Sequence, residues 1–181
     1  MDAFESIVSQ ILWRDGYWVQ PSFKVALTRE EKTKIGRPTT PRWEIDIVGY
    51  CAKRNELLMV ECKSFLDSIG VEYSAFNGGN EKRASRFKLF NDAELRDVVK
   101  YRLTQQLLEA GLIQENPSIK LALVCGKIVR DRDRELLRDH FARNEWLFWD
   151  EAWLKEKLRA MSISGYENSV AAVVAKLLLR G

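Results

Sequence analysis

The stretch WEIDIVGY, residues 43–50, decides how this chain is read. Trp43, Ile45 and Ile47 alternate with Glu44 and Asp46, the period of two that marks a β-strand. The second face then continues as Val48 and Tyr50, so both faces are largely apolar and the two acids share one of them. Carboxylates avoid such surroundings unless something pairs with them. The fold must therefore supply a partner for Glu44 and Asp46.

The next apolar run answers part of that need. Lys53-Arg54-Asn55 reads as a turn, and ELLMVECK (56–63) as the returning strand of a hairpin. Side chains repeat every second residue, so Glu61 and Lys63 share a face. Two or three carboxylates and one ammonium are thereby expected at the edge of an apolar sheet.

Outward from the hairpin, the pattern is that of an α/β protein. Residues 3–14 predict an amphipathic helix with Phe4, Ile7, Val8, Ile11 and Leu12 on one stripe, ended by Asp15-Gly16. Residues 17–27 predict a strand in which Pro21 marks an edge or a bend. Residues 28–42 read as a polar loop, and 64–91 as irregular. A helix over 92–110 follows, with Asn91 and Glu94 as a capping box, Leu95, Val98, Val99, Leu103 and Leu107 as its stripe, and Gly111 at its end. IKLALVC (119–125) predicts a buried strand. A helix at 131–143, a strand at 146–149 and helices near 151–161 and 168–180 complete the order αβββαβαβαα. The last helix, with Val170, Val173, Val174, Leu177, Leu178 and Leu179, is expected to pack on the domain, with a homodimer contact as the alternative. His140 reads as lying on a charged helix surface.

The 181 residues suffice for one domain with a sizeable core; 46% are hydrophobic and 30% charged, ordinary for a globular protein. A formal net charge of +3 is too small to establish a polyanion partner by itself. Cys51, Cys62 and Cys125 are odd in number and lack CxxC spacing, and His140 is the one histidine, which argues against zinc. Reduced thiols, no charged-then-apolar leader and no membrane-length apolar run predict a cytoplasmic location without membrane partners.

The expected cluster of acids and lysine is the equipment for phosphodiester cleavage. Carboxylates bind Mg²⁺, which prefers oxygen ligands and keeps several waters. The metal polarises phosphate and lowers the pKa of a bound water. A lysine positions that water or neutralises charge building on the phosphate. Flanked by Asp and Glu it stays protonated, which favours the electrostatic role.

Asp46, followed after a short hairpin by Glu61-Cys62-Lys63, resembles the PD-(D/E)XK, or restriction-endonuclease-like, nuclease superfamily. The order helix, three strands, helix, strand over about 3–125 is similar to that family's αβββαβ core. The residue before Asp46 is Ile45, where the family pattern has proline. The resemblance implies a central mixed sheet flanked by helices, with residues from about 126–181 as extra C-terminal helices. It implies Asp46 and Glu61 as metal ligands, the Cys62 backbone carbonyl as a third, Lys63 as the catalytic lysine, and Mg²⁺ or Mn²⁺ as cofactor. Many members add an acid from the first helix. Glu5 matches it, about 20° from Leu12 on a helical wheel, and Glu44 competes for that role. Gln106 matches the polar side chain that some members place in the site from the helix after the motif.

Positive charge clusters in two segments. Residues 28–42 carry Lys34 and Arg37 among five cations, and 81–88 carry Lys82, Arg83, Arg86 and Lys88. Both connect elements that flank the expected site, suited to a phosphate backbone. The expected function is a divalent-metal-dependent nuclease acting on DNA. The alternatives are a nucleic-acid-binding protein that keeps the fold without activity, and a scaffold protein whose acids are structural.

Overall fold

A five-stranded sheet in the order β1-β2-β3-β4-β5 organises the computed structural model, which describes residues 2–39 and 42–179. The strands are β1 (Trp18–Val25), β2 (Trp43–Cys51), β3 (Glu56–Lys63), β4 (Ser118–Cys125) and β5 (Leu147–Trp149). The first three pair antiparallel, while β4 and β5 join parallel, so the sheet is mixed. The sequence explains the division. β2 and β3 are joined by a short turn (52–55), and β1 reaches β2 through residues 26–42, whereas β4 is reached through a helical crossover and is buried from Leu121 to Cys125.

The helices are α1 (Ala3–Arg14), α2 (Arg29–Lys34), α3 (Glu81–Ala84), α4 (Lys88–Asn91), α5 (Ala93–Glu109), α6 (Asp131–Arg143), α7 (Glu151–Ser162) and α8 (Val170–Leu179). They cover both faces. On one side, Leu57, Met59, Leu121 and Leu123 meet Leu95, Val99, Leu103 and Leu107 of α5 and Leu137 and Phe141 of α6. On the other, Ile47, Leu58, Val60 and Val124 meet Val8, Ile11 and Leu12 of α1, Leu154 of α7 and the alanines of α8. Among the described residues no helix is long and apolar enough to cross a membrane.

Four local expectations change. The polar loop at 28–42 contains α2, started by a reciprocal capping box between Thr28 and Glu31; Thr40 and Pro41 of that loop lie outside the described residues. The irregular 64–91 stretch holds a 3₁₀ turn (Tyr73–Ala75) as well as α3 and α4. The cap of α5 is Asp92, which accepts the Leu95 N–H, while Asn91 ends α4 and donates to the carbonyls of Ala75 and Ala84. His140 is not a surface group: its ring packs on Tyr73, Phe76 and Trp146, and burial lowers its pKa.

The largest difference is α8. Its packing face is the small-residue stripe Ala171, Ala172 and Ala175, while Val170, Leu177 and Leu178 are each more than 70% exposed. Alanine lets this helix approach α7 closely, which the larger side chains would prevent. Arg180, the end of the expected helix, lies outside the described residues.

Candidate functional site

Asp46 sits where the β1–β2 ribbon turns over. The two strands pair in one register from Trp18↔Tyr50 to Val25↔Trp43, with a gap only at Ser22 opposite Asp46. Ser22 has φ of 49°, the left-handed region that a serine seldom adopts. On both strands alternation is broken there. Val19 and Ile47 pack on the α1 side, whereas Phe23, Val25 and Ile45 pack on the α5 side. A regular strand would keep Ile45 and Ile47 together.

The β2–β3 ladder stops at the same level. Its pairs run from Cys51↔Glu56 to Ile47↔Val60. Past that point the Cys62 N–H needs another acceptor, and Asp46 Oδ2 provides it at 2.7 Å. Asp46 is thereby held at the parting of two strands. Glu61 and Lys63, by alternation with Leu57 and Met59, stand on the α5 side of β3. Their ion pair spans 2.5 Å, with side chains 17% and 22% exposed.

The electrostatics of the cluster are unbalanced. Burial and then the Glu61 charge push the Asp46 carboxyl up to about 6, with Glu44 adding to the rise. The Cys62 N–H and Lys63 oppose this without cancelling it. For Lys63, burial favours the neutral form, but Glu61 and Asp46 outweigh it and raise the pKa, so the side chain stays an ammonium. Burial, with Asp46, Glu5 and Glu61 adding to it, raises the Cys62 thiol far above its ordinary value. The Cys62 side chain packs in the α1-side core, away from the face that carries Glu61 and Lys63.

The other expected residues divide. Glu5 closes the capping box of α1 with Asp2. It also feels Asp46: burial first, then the two neighbouring acids, raise its pKa against the pull of the Asp2 N–H. Glu44 is exposed, although its charge reaches Asp46. Gln106 Oε1 accepts the Ala26 N–H at 2.8 Å, tying α5 to the end of β1. Arg37 is committed to Asp92 at 3.1 Å and lies over Trp43. Arg83 pairs with Glu72. Lys34, Lys82, Arg86 and Lys88 are exposed.

Among the described residues, no three His, Cys, Asp or Glu side chains form a ready-made metal cage. The cluster offers two carboxylates, Asp46 and Glu61, each with one oxygen engaged and a second available in its chemistry. Sequence reasoning missed Ser22 and Phe65, both at left-handed φ. Pro21 just before Ser22 is the one signal for the first, and nothing in the pattern flags the second. No family model, no curated protein and no solved structure matches this chain.

Proposed function

We propose that this protein is a divalent-metal-dependent nuclease with a restriction-endonuclease-like core, hydrolysing phosphodiester bonds in DNA. The observation that carries the reading is Asp46. A largely buried carboxylate pushed up to about 6 by burial and by Glu61 is short of positive charge, beside a lysine that stays protonated. The element order supports the core: α1, three antiparallel strands, α5, then the parallel β4.

The residues fit a hard cation. Asp46 and Glu61 are oxygen donors and the Cys62 carbonyl is a third, a hard donor set, while the Cys62 side chain packs on the α1 side of the sheet. Mg²⁺ uses one or two carboxylates and keeps its waters, so a two-acid site suffices. When bound, the metal would polarise the phosphate and activate a water.

The chain's own groups do the rest. Water adds to phosphorus, the opposite P–O bond breaks, and the leaving oxygen ends with a proton. Lys63 holds the charge that develops on the non-bridging oxygens. Glu61 keeps the ammonium aimed, and the Cys62 N–H fixes Asp46. The alternative is a nucleic-acid-binding protein that keeps this core without cleavage. One assay separates the two: Mg²⁺ or Mn²⁺ with labelled plasmid, linear duplex, single strand, branched DNA and RNA. Cleavage that stops with EDTA is expected; no cleavage of any substrate with either metal overturns the reading.

A further inference from the structure

Directly after Lys63 the chain enters a second feature, a cleft of about 390 Å³ between the 65–72 segment and α3. Its size is near the lower end of small-ligand pockets. A single nucleotide is on the order of that size. One wall is aromatic: Phe65 stands edge-on to the buried Phe87, ring centroids 6.5 Å apart at 88°. The other wall carries Lys82, Arg83 and Arg86. Glu72 neutralises Arg83, which leaves the exposed Lys82 and Arg86 for an anion. The Arg86 guanidinium lies over the Phe65 ring, 6.0 Å from its centre, so a base entering against that face takes the place of the guanidinium, which is then free for the phosphate.

The cleft adjoins the proposed reaction centre. Two residues of chain, at most about 7 Å, separate Lys63 from Phe65. Glu61, Lys63 and Phe65 are all on the α5 side of the sheet. The segment is also held in place. Gly126 N–H donates to the Lys63 carbonyl at 3.0 Å, and a Cβ at 126 would meet the Ser64 carbonyl oxygen at 2.4 Å, so only glycine permits this approach. Further on, Val71 bridges to Ile128. Phe65 is kept at φ of 46°, a conformation that an aromatic residue avoids unless its surroundings impose it.

From this we infer that the Phe65–Arg86 cleft receives one unpaired nucleotide of the DNA strand next to the cleaved phosphodiester, its base against Phe65 and its phosphate on Lys82 and Arg86. The inference rests on the nuclease reading and narrows it. Substrates with unpaired nucleotides at the cut (single strands, overhangs, flaps) are preferred over intact duplex, where a base would first have to leave its stack.

The test is fluorescence anisotropy in EDTA, with a labelled single strand and a blunt duplex of the same sequence, on wild type, Phe65→Leu and Arg86→Ala. A fluorescent adenine analogue in the single strand reports stacking. Wild type should hold the single strand about tenfold tighter than the duplex, with the analogue quenched. Each variant should lose more affinity for the single strand than for the duplex, so that most of the preference disappears, and Phe65→Leu should lose the quenching. No preference in wild type, equal losses on both ligands, or competition by free AMP as effective as by the oligonucleotide overturns the inference. Arg86 is exposed, so Arg86→Ala decides if Phe65→Leu does not fold. Because binding is read without metal, the cleft can fail while Mg²⁺-dependent plasmid cleavage persists, and the reverse.

Discussion

Asp46 on β2 and Asp150 at the start of α7 are both carboxylates drawn away from water, and their surroundings treat them in opposite ways. Asp150, just past β5, is 3% exposed. One of its oxygens accepts the N–H groups of Ala152 and Trp153 as the cap of α7, and the other takes Arg134 and Arg138, each at 2.8 Å. Burial alone would raise its pKa, but Arg134, the backbone donors and Arg138 outweigh it, and the pKa is lowered. Asp46 has one N–H donor and a share in a lysine already paired with Glu61, and its pKa rises to about 6. A saturated acid belongs to the scaffold. An acid left short of positive charge costs stability and retains capacity for a ligand.

The strongest way to break this contrast is to remove each acid. Asp46→Ala should abolish both cleavage and Mg²⁺ binding, read by single-turnover assay and calorimetry, while DNA binding in EDTA is kept or tightened. Asp150→Ala should cleave at the wild-type rate below its melting temperature. Equal loss in both variants at matched stability would erase the distinction. Next in size, Lys63→Ala should slow single-turnover cleavage about a hundredfold, the scale of one lost preorganised electrostatic contact, with fold and metal binding intact. Wild-type cleavage by Lys63→Ala would remove Glu61-Cys62-Lys63 from the chemistry.

Stability should show the reverse asymmetry. Asp150→Ala loses a helix cap and charged hydrogen bonds, so urea denaturation should register a loss of about 2–4 kcal/mol. Asp46→Asn should stabilise by about 1–3 kcal/mol at pH 8. The folded pKa of Asp46 is raised, so the folded state holds the proton more tightly than the unfolded chain. Wild-type stability from this group is therefore greatest below about pH 4, falls as the pH rises to about 6, and stays lower above. The gain in Asp46→Asn should accordingly vanish at pH 4; a gain independent of pH would show that Asp46 is not the group responsible. The smallest effect is expected at Glu44, which is exposed: Glu44→Ala should change cleavage by about twofold.

Much of the frame was legible from periodicity. The stripe Leu95, Val98, Val99, Leu103 and Leu107 is the buried face of α5, the Val8-Ile11-Leu12 stripe is that of α1, and the apolar run at 119–125 is the interior of β4. These follow from burial repeating along a single element, which is local information. The same logic places α8 against the domain, as found, but its packing face is Ala171, Ala172 and Ala175 and not the larger apolar residues. Whether a helix docks by leucine or by alanine depends on how closely its neighbour comes, and α7 comes close enough for alanine.

At the candidate site, the amino-acid pattern by itself determined the neighbours: a hairpin bringing WEIDIVGY against ELLMVECK, hence Asp46 near Glu61 and Lys63. Tertiary structure alone decided the rest. It turned the ribbon over at Ser22, stopped the β2–β3 ladder at Ile47↔Val60, gave Asp46 the Cys62 N–H and tied Gln106 to Ala26. It also formed the cleft from Phe65, Phe87 and Arg86, up to 22 residues apart in the chain. The reason is physical. Alternation and spacing are properties of one strand, whereas a carboxylate's pKa and hydrogen-bond partners depend on which groups the packed chain brings within a few ångströms and how much water it leaves there.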